Sequence, residues 1–126
     1  MLPQAFRVRN DHVGVVSIVS VAGELDIATA PTLQTALEHA DTDGARHVLV
    51  DLTDTRFLET SGLRTLLRAS QRMSAGGSLS IVCPNACVRR VFELTGTADL
   101  LALHDDRASA LRWHERRVDT VSAARV

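Results

Sequence analysis

Apolar and polar residues alternate in blocks along the chain, and the blocks change period. Val13 to Val21 is dense in Val and Ile, with Val15, Val19 and Val21 on one face and Val16 and Ile18 on the other, the pattern of an interior strand buried on both sides. Gly23 ends it. After Glu24-Leu25-Asp26, Pro31 suits a first helical turn and Leu33, Ala36, Leu37 and Ala40 fall on one helical face. Asp41 to Gly44 reads as a turn, and His47 to Leu52 as a second short apolar strand. A second helix is predicted from about Thr60 or Ser61, because Leu63, Leu66, Leu67, Ser70 and Met73 share a face opposite Arg64, Arg68 and Arg72. Gly76-Gly77 stops it.

Leu79 to Cys83 follows as a strand, and Pro84-Asn85 leads into a third helix with Val88, Val91 and Phe92 inward and Gly96 at its end. Leu100 to Leu103 is a last strand, and Asp105-Asp106 caps a fourth helix of about Arg107 to Arg117. Residues 118–126 read as a mobile tail, and Phe6 to Arg9 leaves room for an edge strand. Strand and helix thus alternate with short connections, which predicts a single α/β domain over 1–126 with a mixed, mostly parallel sheet of about five strands and about four helices. Right-handed crossovers put the loops after the strands on one rim, so Gly23 to Asp26, Thr53 to Gly62 and Cys83 to Cys87 are expected together.

Composition narrows the functional classes. At 126 residues, 45% hydrophobic and 23% charged, the chain has the make-up of a globular domain. A net charge of -1 gives no general grip on a polyanion, which argues against nucleic acid as a partner. No apolar run approaches the ~20 residues of a membrane span. With two cysteines and no secretory pattern in Met1 to Arg7, a cytoplasmic location is expected.

Enzyme motifs are missing. The sequence has no phosphate-binding loop ending in Lys-Ser/Thr, no Gly-x-Ser-x-Gly around Ser61, no His-Glu-x-x-His, and no Lys at all, so no catalytic residue is assigned. Cys83 and Cys87 read as small apolar residues before a redox pair, and the five histidines are scattered without ligand spacing. Asp41-x-Asp43-Gly44 lacks the rest of a calcium loop. Neither a metal nor a cofactor is expected.

The informative segment is Phe57-Leu58-Glu59-Thr60-Ser61-Gly62-Leu63, which follows a strand, opens a helix and sets two hydroxyls beside a carboxylate. Capping by Thr60 or Ser61, worth about 1 kcal/mol, accounts for it with Gly62 incidental. A phosphate on either hydroxyl would instead bring about -1.5 to -2 charges to an exposed helix N-terminus and make a switch.

Four ordered blocks carry a resemblance. Gly23-Glu24-Leu25-Asp26, the strand His47 to Leu52, Phe57 to Leu63, and Pro84 to Gly96 together resemble a STAS domain of the anti-sigma-factor antagonist family over about residues 13–115. The resemblance implies a cytoplasmic bacterial regulator that binds an anti-sigma factor with a histidine-kinase-like ATPase fold and is released when that partner phosphorylates it, with a serine/threonine phosphatase as a further partner. The family's Asp-Ser-Ser/Thr-Gly motif falls on Glu59, Thr60, Ser61 and Gly62, which implies Thr60 as phosphate acceptor and Ser61 as fallback. Glu59 stands where Asp is usual, and Thr60 where Ser is.

The partner-binding residues expected are Glu24, Asp26, Glu59, Thr60, Ser61, Gly62 and Arg64. Glu24 and Asp26 read equally as a solvated turn. The row of Arg64, Arg68 and Arg72 reads first as a solvated helix face and second as a surface for an acidic partner. The alternative function is a STAS subunit of a membrane transport or lipid-trafficking complex, with constant and unphosphorylated binding. A small-ligand sensor using the rim is a third class.

Overall fold

The structure is a computed structural model that describes residues 5–73 and 76–124. Residues 1–4, which include most of the segment read for a secretory signal, and 125–126, the end of the expected tail, lie outside the described residues. Five strands, β1 (Arg7–Val13), β2 (Val16–Leu25), β3 (His47–Leu58), β4 (Ser78–Val82) and β5 (Ala102–His104), alternate from β2 onward with four helices, α1 (Ala30–Thr42), α2 (Thr60–Arg72), α3 (Ala86–Leu94) and α4 (Arg107–Ala124). The strands lie in the order of the chain, β1 antiparallel to β2 and every later pair parallel. This is the expected mixed α/β sheet.

Alternation along the strands makes two apolar layers. One face carries Val19, Val21, Val50, Leu52 and Ile81 against Leu33 and Leu37 of α1, Leu63 and Leu66 of α2, and Val88 and Phe92 of α3. The other carries Val16, Ile18, Leu49 and Val82 against Ala110 and Leu111 of α4. Repeated right-handed crossovers along one sheet direction put the first three helices on one side, and α4 closes the other.

Several boundaries differ from expectation. The Val13 to Val21 run is divided: Val13 ends β1 and Val16 opens β2, joined by a turn in which Gly14 takes φ 58° and Val15 is exposed. A left-handed turn between two apolar stretches is invisible to periodicity when only one glycine marks it. β3 runs on to Leu58, well beyond Leu52, because Ala22 to Leu25 of β2 supply a partner for the polar residues that follow. The last strand starts at Ala102, after turns through Asp99 and Leu100. Helix α4 continues past Arg117 to Ala124, since residues 118–124 contain no Gly or Pro to stop it.

Two polar links fasten α4. The Arg107 Nε donates to Asp51 Oδ2 at 2.6 Å while its terminal nitrogen donates to Ser20 Oγ at 3.0 Å. Burial pushes the Asp51 carboxyl up, but hydrogen bonds from Thr53 and Arg107 outweigh it and hold the group below the usual range. His114, with no exposed surface, lies between β4 hydroxyls: Nδ1 is 2.8 Å from Ser78 Oγ and Nε2 is 2.7 Å from Ser80 Oγ. Ser78 Oγ also meets His47 Nδ1 at 2.7 Å. Burial pulls the His114 pKa down to about 4, so both nitrogens serve a neutral ring.

Candidate functional site

The extension of β2 and β3 beyond the rest of the sheet creates the site. β4 pairs with β3 only as far as Val82 and Asp51, whereas β2 and β3 stay paired to Leu25 and Leu58. Two register shifts, after Ser20 and after Gly23, bend this ribbon. At its tip the Glu59 N–H donates to the Leu25 carbonyl at 2.9 Å, joining the residue after β3 to the last residue of β2. Gly23 to Asp26 and Glu59 to Gly62 are therefore neighbours. Cys83 to Cys87 follows a shorter strand, since β4 ends its pairing at Val82, beside Asp51.

The loop after β2 is built around Asp26. Its Oδ1 accepts the N–H groups of Ala28 (2.9 Å) and Thr29 (3.0 Å), and the Thr29 hydroxyl donates to the Glu24 carbonyl at 2.8 Å. The Asp26 N–H in turn donates to Thr29 Oγ1 at 2.9 Å. One carboxylate oxygen of Asp26 is thus committed to loop geometry. Glu24 is exposed.

On the other side of the junction, Glu59 is the N-cap residue of α2 and Thr60 the first helical residue. No side chain caps this helix: neither Thr60 nor Ser61 hydrogen-bonds a free N–H, and the Glu59 side chain does not either. The capping expected of the two hydroxyls is absent for a geometric reason, since both residues lie within the helix and not at the half-in position from which an oxygen reaches back. Thr60 is exposed; Ser61 Oγ is buried and has no hydrogen-bond partner. Gly62 is buried against Leu25 and Leu58, and so is a packing requirement. Arg64 is exposed one turn below Thr60.

Two apolar residues complete the rim. Ile27 is 78% exposed, between Asp26 and Ala28, and Phe57 is 48% exposed, in register with Glu24 across the ribbon. Sequence reasoning passed over both. Ile27 falls outside the helical face of Leu33 and Leu37, and a large apolar side chain in a polar loop is the signal that could have found it. The candidate surface is therefore acidic and hydroxylic with an apolar border, formed by Glu24, Ile27, Phe57, Glu59, Thr60 and Arg64. Among the described residues no group of three His, Cys, Asp or Glu could hold a metal ion, and no helix is long and apolar enough to cross a membrane.

Comparison with known proteins agrees with this fold. The profile described as STAS domain matches residues 7–110. The chain is 30% identical over 86 residues to the anti-sigma-F factor antagonist RsfB of Mycobacterium tuberculosis, covering 68% of this chain and 70% of that protein. It is 30% identical over 88 residues to the anti-sigma-B factor antagonist of Staphylococcus aureus, covering 69% and 82%. The crystal structure of an anti-sigma factor antagonist from Mycobacterium paratuberculosis superposes with a TM-score of 0.82 at 28% identity, covering 86% of this chain and 92% of that one. With the profile spanning most of the sheet and its helices, the chain belongs to the STAS domain family.

Proposed function

We propose that this chain is an anti-sigma factor antagonist, a cytoplasmic, non-enzymatic binding module that sequesters an anti-sigma factor and lets it go when Thr60 is phosphorylated. The reading is supported by relatives that bear the antagonist name and by one observation at the site: an exposed Thr60 hydroxyl at the start of α2, beside a loop held by the Glu59–Leu25 hydrogen bond. A kinase able to modify Thr60 needs an accessible hydroxyl, and the buried Ser61 Oγ is not one. The partner in this reading is an anti-sigma factor with a histidine-kinase-like ATPase fold, and a serine/threonine phosphatase restores the unmodified form.

The contact surface comprises Glu24, Asp26, Glu59, Thr60 and Arg64, with Ile27 and Phe57 as its apolar anchors, while Gly62 and the Ser61 hydroxyl, expected in it from sequence, are buried beneath it. Buried apolar anchors ringed by polar groups carry most of the free energy in protein interfaces. A phosphate at Thr60 adds charge next to Glu24 and Glu59, so a partner that tolerates these carboxylates meets a much more negative surface.

The test is calorimetric titration of a purified anti-sigma factor from the same organism into unmodified and Thr60-phosphorylated protein. Tight binding that weakens at least about tenfold with phosphate is expected, a change of roughly 1.4 kcal/mol. Equal affinity in both forms overturns the switch and transfers the site to a constant-binding STAS subunit. No binding in either form overturns the antagonist reading.

A further inference from the structure

We infer that Arg64 is the intramolecular partner of a phosphate on Thr60, so that modification both adds negative charge and withdraws a cation from the contact surface. The inference rests on Thr60 as the acceptor and concerns what happens within this chain afterwards.

Thr60 and Arg64 are four residues apart on α2, and both are exposed. Residues at this spacing lie one above the other, about 6 Å apart along the axis. Cα–Cβ bonds tilt toward a helix's N-terminus, so Arg64 leans toward Thr60 and its long side chain spans the turn. Arg64 makes no hydrogen bond or ion pair among the described residues, unlike Arg89 and Arg107, which are engaged with carboxylates. Its donors are free. The planar fork of a guanidinium matches two phosphate oxygens at once.

The surroundings sharpen the assignment. Glu59 and Glu24 are exposed and repel a phosphate, and Asp26 is half-buried with one oxygen tied to its loop. Arg56 is also exposed, but it lies on β3 before the junction. Arg68 is exposed a further turn along α2, twice as far from Thr60. Arg64 alone stands at helical contact distance. In the unmodified protein it is available to an acidic group of a partner. After modification the phosphate holds it.

The experiment uses full-length protein with phosphothreonine incorporated at position 60 during translation, so no kinase is needed. The second ionisation of the phosphate, near pH 6, is followed by 31P NMR at low salt. The phosphate should ionise at a pH lower by about a third to one unit in the parent than in Arg64→Gln, the range of a helical ion pair strengthened by a near-dianion. Arg64→Lys should recover part of the difference, while Arg68→Gln and Arg56→Gln should match the parent. Identical titration of the parent and Arg64→Gln, or a larger effect from Arg56 or Arg68, overturns the inference. Each result is distinguishable from failure of the switch: anti-sigma binding that ignores phosphate leaves Arg64 capture intact, and loss of capture leaves release by repulsion intact.

Discussion

Gly62 packs directly against Leu25: a Cβ added to it would stand 2.5 Å from Leu25 Cγ and 2.9 Å from Leu25 Cδ2. Leu25 has no exposed surface, so it cannot swing into solvent, and Leu58 Cδ1 closes the space at 3.0 Å. The third residue of α2 is thereby locked to the last residue of β2. The contact reinforces the Glu59–Leu25 hydrogen bond, and any shift of α2 is felt by the loop that carries Glu24 and Asp26.

Gly62→Ala should therefore destabilise the protein by about 1–3 kcal/mol in denaturant unfolding, the usual cost of overpacking, despite the better helix propensity of alanine. Adding Leu25→Ala should recover part of the loss, because it opens the space the new methyl needs. Additive effects of the two substitutions would sink the proposed contact.

The two cysteines should differ in reactivity and not act as a pair. Cys83 is buried at the end of β4, and burial pushes its thiol up to about 11, leaving almost no thiolate at neutral pH; Cys87 is exposed in the first turn of α3. In native protein one thiol should react promptly with Ellman's reagent and the second only on unfolding. Cys83→Ala should cost about 1 kcal/mol through lost apolar burial. Anti-sigma binding should be insensitive to peroxide. Two equally fast thiols, or a binding change reversed by dithiothreitol, would promote the redox reading.

The period changes in the sequence located α1, α2 and α3 because each helix has one strongly apolar face and a nearby Gly or Pro. They missed the β1–β2 turn at Gly14 and the outer half of β3, where Thr53, Asp54, Arg56 and Phe57 are exposed and no alternation marks a strand. Pairing with β2, a long-range property, forms that half. The site followed the same division. Local chemistry singled out Glu59 to Gly62, but the exposure that separates Thr60 from Ser61 and the packing of Gly62 are set by tertiary contacts, among them Leu25, far away in sequence. His114 was dismissed for want of ligand spacing, since its partners Ser78 and Ser80 become neighbours only when α4 crosses β4.

His114 makes stability depend on pH in one direction. Its pKa is about 4 in the folded protein against 6.5 for an ordinary histidine, so between these values the unfolded chain binds a proton that the folded one refuses. Stability should be fully present above about pH 6.5 and fall as the pH drops toward 4. His47 and His104 are lowered as well, chiefly by burial, and act in the same sense. Chemical denaturation at a series of pH values should show the steepest part of this slope removed by His114→Gln, which keeps polar contacts without titrating. His114→Ala should cost about 2–4 kcal/mol at pH 7, from a cavity and the stranded Ser80 hydroxyl, Ser78 Oγ keeping its His47 contact. An unchanged slope in His114→Gln would place the acid sensitivity elsewhere.

Thr60 and Ser61 should separate cleanly when each is replaced by alanine. Because the Thr60 side chain caps nothing and is exposed, Thr60→Ala should change stability by less than about 0.5 kcal/mol, not by the ~1 kcal/mol of a lost cap. Ser61 Oγ is desolvated without a partner, so Ser61→Ala removes an unsatisfied hydroxyl and should be neutral or stabilising by up to about 1 kcal/mol. Both variants are thus folded reagents for a labelling experiment with the anti-sigma factor and ATP. Phosphate incorporation should vanish in Thr60→Ala and persist in Ser61→Ala, and Thr60→Ala should hold the partner with or without ATP. Thr60→Glu is a weaker mimic, with one charge where phosphate carries nearly two and without the third acceptor oxygen, so it should reduce affinity less than true phosphorylation. Labelling that survives in Thr60→Ala and is abolished in Ser61→Ala would mean that the start of α2 opens to release the Ser61 hydroxyl, and would move the switch to Ser61.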